Sequence, residues 1–254
     1  MPAGSYTNSH DDNSFEVFLE GWLISQEQLL NELVLAQDTF DEESQEGDIR
    51  DLISRVLAHY EEYYEEKSRM TQRNVFRVFS PTWFSPLERS FLWITGFNPG
   101  LAFSLVTDSV DDLSENQVQR INWLRHETKV QERSLTEELA KIQESVAAPP
   151  VVDLAQRVGM QLIYADDINV DMEEVDGNLD TLKTALENVV TDADRLRTRT
   201  AERVVGLLRP LQSLKFFSAA AQLQLRVRMM GKQREADRQE NDNNNNNNDA
   251  SNGW

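Results

Sequence analysis

From Phe15 to Met230, apolar side chains return three and four residues apart over long stretches. Strict alternation appears only in "LQLRVRM", and there it is embedded in a helix-like run. This periodicity constrains the fold more than any other feature, because it creates stripes on helices rather than faces of a sheet. Phe15, Phe18, Leu19, Trp22, Leu23, Leu29, Leu30, Leu33 and Val34 predict a helix over 14–37, with Asn13 as N-cap and Glu16 completing a capping box. Gly21 inside it lowers local stability unless a neighbour packs closely there. Ile49, Leu52, Ile53, Val56, Tyr60, Tyr63 and Met70 predict a second long helix over 48–78. Ser114 and Gln117 open a third, whose expected buried side runs through Val118, Ile121, Leu124, Leu135, Leu139, Ile142 and Val146, up to "AAPP" at 147–150. A shorter helix is expected at 151–164. Asp171 and Glu174 then open a long one that reaches Leu208, and Pro210 starts the last, with Gly231 as its expected end.

Between the second and third long helices lies "SPTWFSPLERSFLWITGFNPG", residues 80–100, where two tryptophans, three prolines and two glycines are concentrated. Ser85, Pro86 and Glu88 read as an N-cap, a proline at the first helical position and the acid of a capping box. Gly96 is the expected stop of that helix, and Asn98–Pro99 the start of another. The segment is expected to form a sharp corner filled by Trp83, Phe84, Phe91, Trp93 and Phe97. The whole pattern predicts an all-α protein: one domain over 13–235, with long antiparallel helices in a bundle and short connecting helices. Residues 1–12 and the Asn-rich 236–254 are expected to be disordered flanks.

The formal net charge is −19 at pH 7, so phosphate backbones and anionic membrane surfaces repel the chain, and no direct nucleic-acid or membrane partner is expected. Charge is uneven: from Asp11 to Glu66 only Arg50 and Arg55 offset the acids, whereas basic residues dominate from Arg195 to Arg238. There is no cysteine, which excludes disulfides, thiolate chemistry and cysteine-ligated metals. No apolar run is long enough to cross a bilayer, and the first residues lack the pattern of a secretory signal, so nucleus or cytoplasm is the expected location.

The usual carriers of catalysis are missing from the pattern. None of His10, His59 and His126 lies in Glu-x-x-His; His59 could share a helix face with Glu62 or Glu66, but it reads first as an ordinary helix residue beside acidic neighbours. There is no phosphate loop and no nucleophile elbow. A non-enzyme with no metal site and no catalytic residue is expected.

The corner segment resembles the signature of the plant delay-of-germination domain, which also forms the C-terminal part of TGA-type bZIP transcription factors. The resemblance extends to "FEVFLEGWLISQEQLLNELVLA" at 15–36, "LSENQVQRINWLRHET" at 113–128 and "DADRLRTRTAERVVGLLRPLQSLKFFSAAAQLQLRVRMMG" at 192–231. Only a short acidic segment precedes Phe15, so the chain is more similar to the stand-alone branch than to the bZIP branch, and no DNA contact of its own is expected. The resemblance implies a regulatory interaction module in seed dormancy and germination, abscisic-acid signalling or transcriptional control. The partners it implies are protein phosphatases of the abscisic-acid pathway, or bZIP and co-activator proteins, with a homodimer as a further mode. Some members of the branch carry a histidine pair in the last helix suggestive of haem ligation; the corresponding places here hold Gln224 and Arg228, neither a haem ligand, so no cofactor is expected.

Trp83, Trp93 and Phe97 are candidates to line a groove for a partner segment or an apolar, fatty-acid-like ligand; the alternative for the two tryptophans is core anchorage of the corner. Trp123 falls off the buried stripe of its helix and is a candidate contact for a partner or second subunit, with ordinary packing in the bundle as the alternative. Glu88 is expected to meet Arg197 across the bundle, either as a buried pair fixing register or as a surface pair. A small-molecule sensor and a co-regulator that reaches DNA only through bZIP partners stand as alternatives to direct partner binding.

Overall fold

The computed structural model describes residues 8–39, 46–146 and 172–251, and side chains within 14–39, 47–145 and 177–240. The expected helix at 151–164, and Asp171 of its following capping box, lie outside the described residues. Seven helices are described: α1 (Asn8–Asp38), α2 (Glu46–Phe79), α3 (Pro86–Ser90), α4 (Leu101–Ser109), α5 (Glu115–Val146), α6 (Met172–Val205) and α7 (Pro210–Ser251). The described residues contain no strand, only an isolated bridge between Trp93 and Gly96. The all-α expectation holds.

Side-chain pairs show the antiparallel arrangement. On α1 and α7, Gln37 reaches Leu214 and Ser218 while Gln26 reaches Gln224. On α1 and α2, Trp22 Nε1 donates to the His59 carbonyl at 2.8 Å while Glu32 binds Arg55. On α5 and α6, Glu127 meets Arg203 while Leu135, Leu139 and Ile142 pack on Val189 and Ala193. The acidic first helix thus packs along the more basic last one.

Several boundaries differ from the sequence reading. Helix α1 begins at Asn8, so Asn13 lies within it rather than capping it. Helix α3 ends at Ser90 with Phe91 as its C-cap; Gly96 does not stop it but closes a separate turn. Gly231 does not end α7, which continues to Ser251 through the Asn-rich run. Glycine is needed there for another reason: a Cβ at Gly231 would strike Ser85 Oγ and come within 3.0 Å of Ser85 Cβ. The last helix therefore passes directly against the N-terminus of α3. The capping box Ser114–Gln117 is present, with Ser114 N donating to Gln117 Oε1 at 3.0 Å and Gln117 N to Ser114 Oγ at 3.3 Å.

Among the described residues three apolar clusters organise the interior, the smallest being Ile94, Val189 and Ala193 between the corner turn and α6; two are larger. One gathers Leu33, Ile53, Val56, Phe103, Ile121, Val204, Leu214, Phe216 and Phe217, from α1, α2, α4, α5, α6 and α7. The other gathers Phe15, Leu19, Trp22, Met70, Val75, Val78, Trp83 and Val190 at the corner end. Burial of these stripes, at about 25 cal/mol per Å² of apolar surface, is the main force holding the helices together.

Candidate functional site

The corner is assembled by local sequence and then clamped from two long helices. Ser85 caps α3, its hydroxyl accepting from Glu88 N at 3.2 Å, while Glu88 Oε2 accepts from Ser85 N at 2.8 Å and from Ser85 Oγ at 2.7 Å. Arg228 of α7 completes this unit, donating to the Trp83 carbonyl at 2.7 Å and to Glu88 Oε1 at 3.1 Å. Glu88 is therefore buried but paired with Arg228, not with Arg197 as the sequence suggested.

Arg197 of α6 has a different task. Residues 93–96 form a tight turn in which Trp93 N donates to the Gly96 carbonyl at 2.7 Å and Gly96 N to the Trp93 carbonyl at 3.2 Å. Its central residues, Ile94 (φ 41°) and Thr95 (φ 62°), are β-branched and sit in the left-handed region, a conformation they resist. The Arg197 guanidinium holds the turn: Nε donates to the Phe97 carbonyl at 2.7 Å, Nη2 to the Ile94 carbonyl at 2.7 Å and to the Trp93 carbonyl, and Nη1 to Asp194. It also lies over the Trp93 ring, 5.3 Å from its centre. Gly96 gives the guanidinium room, since a Cβ there would fall 2.8 Å from Arg197 Cζ and displace it. Glu88 and Arg197 do not meet because they serve different parts of the corner: Glu88 caps the start of α3, and Arg197 holds the carbonyls of the 93–97 turn.

Behind the corner lies a cavity of about 820 Å³. Its wall is mostly aromatic and aliphatic, including Trp22, Tyr60, Phe97, Leu101, Phe217 and Val227. Lys67, Arg197 and Arg228 also border it, and it extends to the exposed side chains of Glu65 and Arg69 on α2. Lys67 is 4% exposed in its side chain and donates to Asp194 Oδ1 at 2.8 Å. Burial pushes its ammonium pKa down to about 8, against the opposing pull of Asp194. Gln26 Nε2 donates to Tyr60 Oη at 2.7 Å and to Gln224 Oε1 at 3.3 Å, tying α1, α2 and α7 together beside the same space. Burial raises the Tyr60 phenol to about 12.

The aromatic candidates are dispersed. Phe97 lines the cavity. Trp83 is buried, its ring 4.8 Å from that of Phe15, and Trp93 is half-buried with its Nε1 donating to Thr136 Oγ1 at 3.0 Å. Trp123 is 62% exposed on α5, under the Arg203 guanidinium at 5.3 Å. Gln224 and Arg228 are both committed to side-chain or backbone partners. His59 is buried, stacked on Trp22 with ring centres 4.3 Å apart, and desolvation lowers its pKa to about 4. Among the described residues no group of three or more potential ligands could hold a metal ion, and no helix is long and apolar enough to cross a membrane.

Lys67 and Gln26 were missed as site residues, although both sit on the apolar stripes of their helices: Tyr60, Tyr63, Lys67 and Met70 are three or four apart, as are Leu19, Trp22, Gln26, Leu29 and Leu33. A polar residue interrupting such a stripe is the signal that could have found them.

The chain is thus an all-α bundle with a clamped aromatic corner beside a partly open, mostly apolar cavity. Residues 26–108 match the family model DOG1, described as seed dormancy control. The chain is 34% identical to the Arabidopsis thaliana protein RESPONSE TO ABA AND SALT 1 over 85% of its own length and 94% of the relative's. It is 36% identical to Protein ZW2 of the same plant over 82% and 92% of the two chains. It is also 29% identical to the Arabidopsis transcription factor TGA10, covering 87% of this chain but 47% of that protein. The chain belongs to the DOG1 family of plant regulatory proteins.

Proposed function

We propose that the protein is a non-enzymatic regulator that acts by binding other proteins in seed dormancy, abscisic-acid response or transcriptional control, in the nucleus, the cytoplasm or both. The observation that carries this reading is the similarity, over 85% of this chain, to a relative named for its response to ABA and salt, together with similarity to TGA10. The polar chemistry of the interior agrees with it: Glu88, Arg197 and Arg228 hold backbone in place. Partners of the kinds implied are protein phosphatases of the abscisic-acid pathway and bZIP or co-activator proteins, the latter giving an indirect route to DNA. Trp123, with Arg203 over its ring, is the proposed contact. Affinity purification from developing seed with mass spectrometry tests this reading. Enrichment of phosphatases or TGA factors, lost in Trp123→Ala, is expected; no enriched protein over an unrelated acidic bait would refute it.

A second reading, a sensor of an apolar, fatty-acid-like small molecule, is favoured by the volume and lining of the cavity. Native mass spectrometry of the purified chain should then show a retained ligand. A haem is not part of either reading, since Gln224 and Arg228 are poor haem ligands and both have protein partners.

A further inference from the structure

Glu61, Glu65, Glu88 and Glu202 balance the basic side chains of the cavity wall as a whole, but at one point between α2 and α6 the pairing is uneven. Asp194 Oδ1 accepts from both Lys67 Nζ and Arg197 Nη1, so one carboxylate faces two cations within an interior of low polarity. Arginine keeps its proton in proteins. The Arg197–Asp194 pair is therefore the lasting ion pair, and Lys67 is the cation that can become neutral. Burial drives it in that direction, and the nearby Arg197 charge adds to the effect. A neutral amine has a lone pair, and Lys67 lines a space large enough for a sizeable apolar molecule.

We propose that Lys67 is a covalent capture site for an aliphatic aldehyde lodged in the cavity, held as an imine. This deepens the small-molecule reading above and rests on it. The Nζ lone pair adds to the carbonyl carbon. Asp194, within hydrogen-bonding distance of Nζ, takes a proton from the attacking nitrogen and returns it to the departing hydroxyl. The C=O bond becomes C=N, both amine hydrogens leave with the oxygen as water, and no oxidant or reductant is consumed. The apolar wall takes the alkyl chain and limits water near the imine.

The selectivity expected is large. At pH 8 a lysine with an ordinary pKa near 10.4 presents free amine roughly a hundredfold less often than one titrating near 8. The five other lysines are exposed or half-buried.

The test is to incubate the full chain with decanal, reduce with sodium borohydride, and locate adducts by intact mass and peptide mapping. One dominant adduct on Lys67, exceeding any other lysine by about tenfold or more, is expected. It should disappear in Lys67→Arg, which keeps a cation beside Asp194. Labelling spread over the exposed lysines, or no adduct, overturns the proposal. Because Lys67→Arg could fail to fold, mapping on the unaltered chain decides alone, with circular dichroism reporting the variant's state. Decanol, which has the chain but no carbonyl, separates the two readings by native mass spectrometry. Decanol retained without a decanal adduct defeats Lys67 capture and leaves the cavity reading intact. Neither molecule retained defeats both.

Discussion

The two ends of the bundle are held by different physics. Around Val56, Phe103, Val204, Leu214 and Phe216, adhesion comes from apolar area, which has no direction and tolerates repacking. At the corner, Arg197 and Arg228 hold irregular backbone with directional, charge-assisted bonds to the carbonyls of Trp83, Trp93, Ile94 and Phe97. A helix end can be covered by any well-shaped hydrophobe. A turn with two β-branched residues in the left-handed region needs a group of fixed geometry to hold it there. Of the buried charges, Glu88 and Arg197 serve irregular backbone, while Lys67 lies between two helices.

The sharpest way to break this contrast is to remove one support from each end. Arg197→Met should cost about 3–5 kcal/mol, because the Trp93, Ile94 and Phe97 carbonyls each lose a charge-assisted bond worth about 1.5–3 kcal/mol, while Asp194 keeps Lys67 as its partner. Phe216→Ala should cost a similar 3–5 kcal/mol through lost burial and a cavity. Urea unfolding gives both values. Comparable losses with disruption of the corner only in Arg197→Met, read from tryptophan fluorescence, are expected; an unchanged corner spectrum in that variant would count against the clamp.

Gly231→Ala tests the seam between α7 and α3. The added methyl meets Ser85, and overpacking of this kind costs about 1–3 kcal/mol. A thermal midpoint equal to that of the unaltered protein would show that the seam yields. Thr95→Gly is expected to move stability the other way, by up to about 1 kcal/mol, because it relieves a positive φ and removes a buried hydroxyl that has no partner. Destabilisation instead would mean the turn is not strained.

The pH dependence separates the regions as well. Lys67 titrates near 8 when folded and near 10.5 when unfolded, so the unfolded chain binds more protons between those values. Its contribution makes stability rise with pH across that window, until Tyr60, raised to about 12, reverses the trend above pH 10. His59, lowered to about 4, contributes stability that is lost as pH falls from 6.5 toward 4. Lys67→Met should flatten the alkaline rise and His59→Gln the acid loss, each measured by denaturation across pH; a Lys67→Met profile that still rises would assign the effect elsewhere. Smallest of all, Trp123→Ala should shift stability by less than about 0.5 kcal/mol, as expected for a surface change.

Legibility in the sequence followed the range of the interactions. The Ser85–Glu88 and Ser114–Gln117 boxes were readable because both partners lie within one turn of helix. The long stripes were readable because burial imposes their period. Which acid a buried arginine meets was not, since Glu88 and Arg228 are 140 residues apart and local pattern carries no trace of that choice. Gly96 and Gly231 were misread for a related reason. Glycine can mean a helix stop or a close approach, and only the neighbour across the gap, Arg197 or Ser85, distinguishes them.

The two arginines ride on different helices, Arg197 on α6 and Arg228 on α7. The segment between them is thus moored at two points that need not move together. One residue of axial slip is about 1.5 Å, enough to unseat a bidentate or multi-carbonyl grip. Sliding one long helix past the other would therefore have to break bonds at the corner, and the two moorings together oppose it.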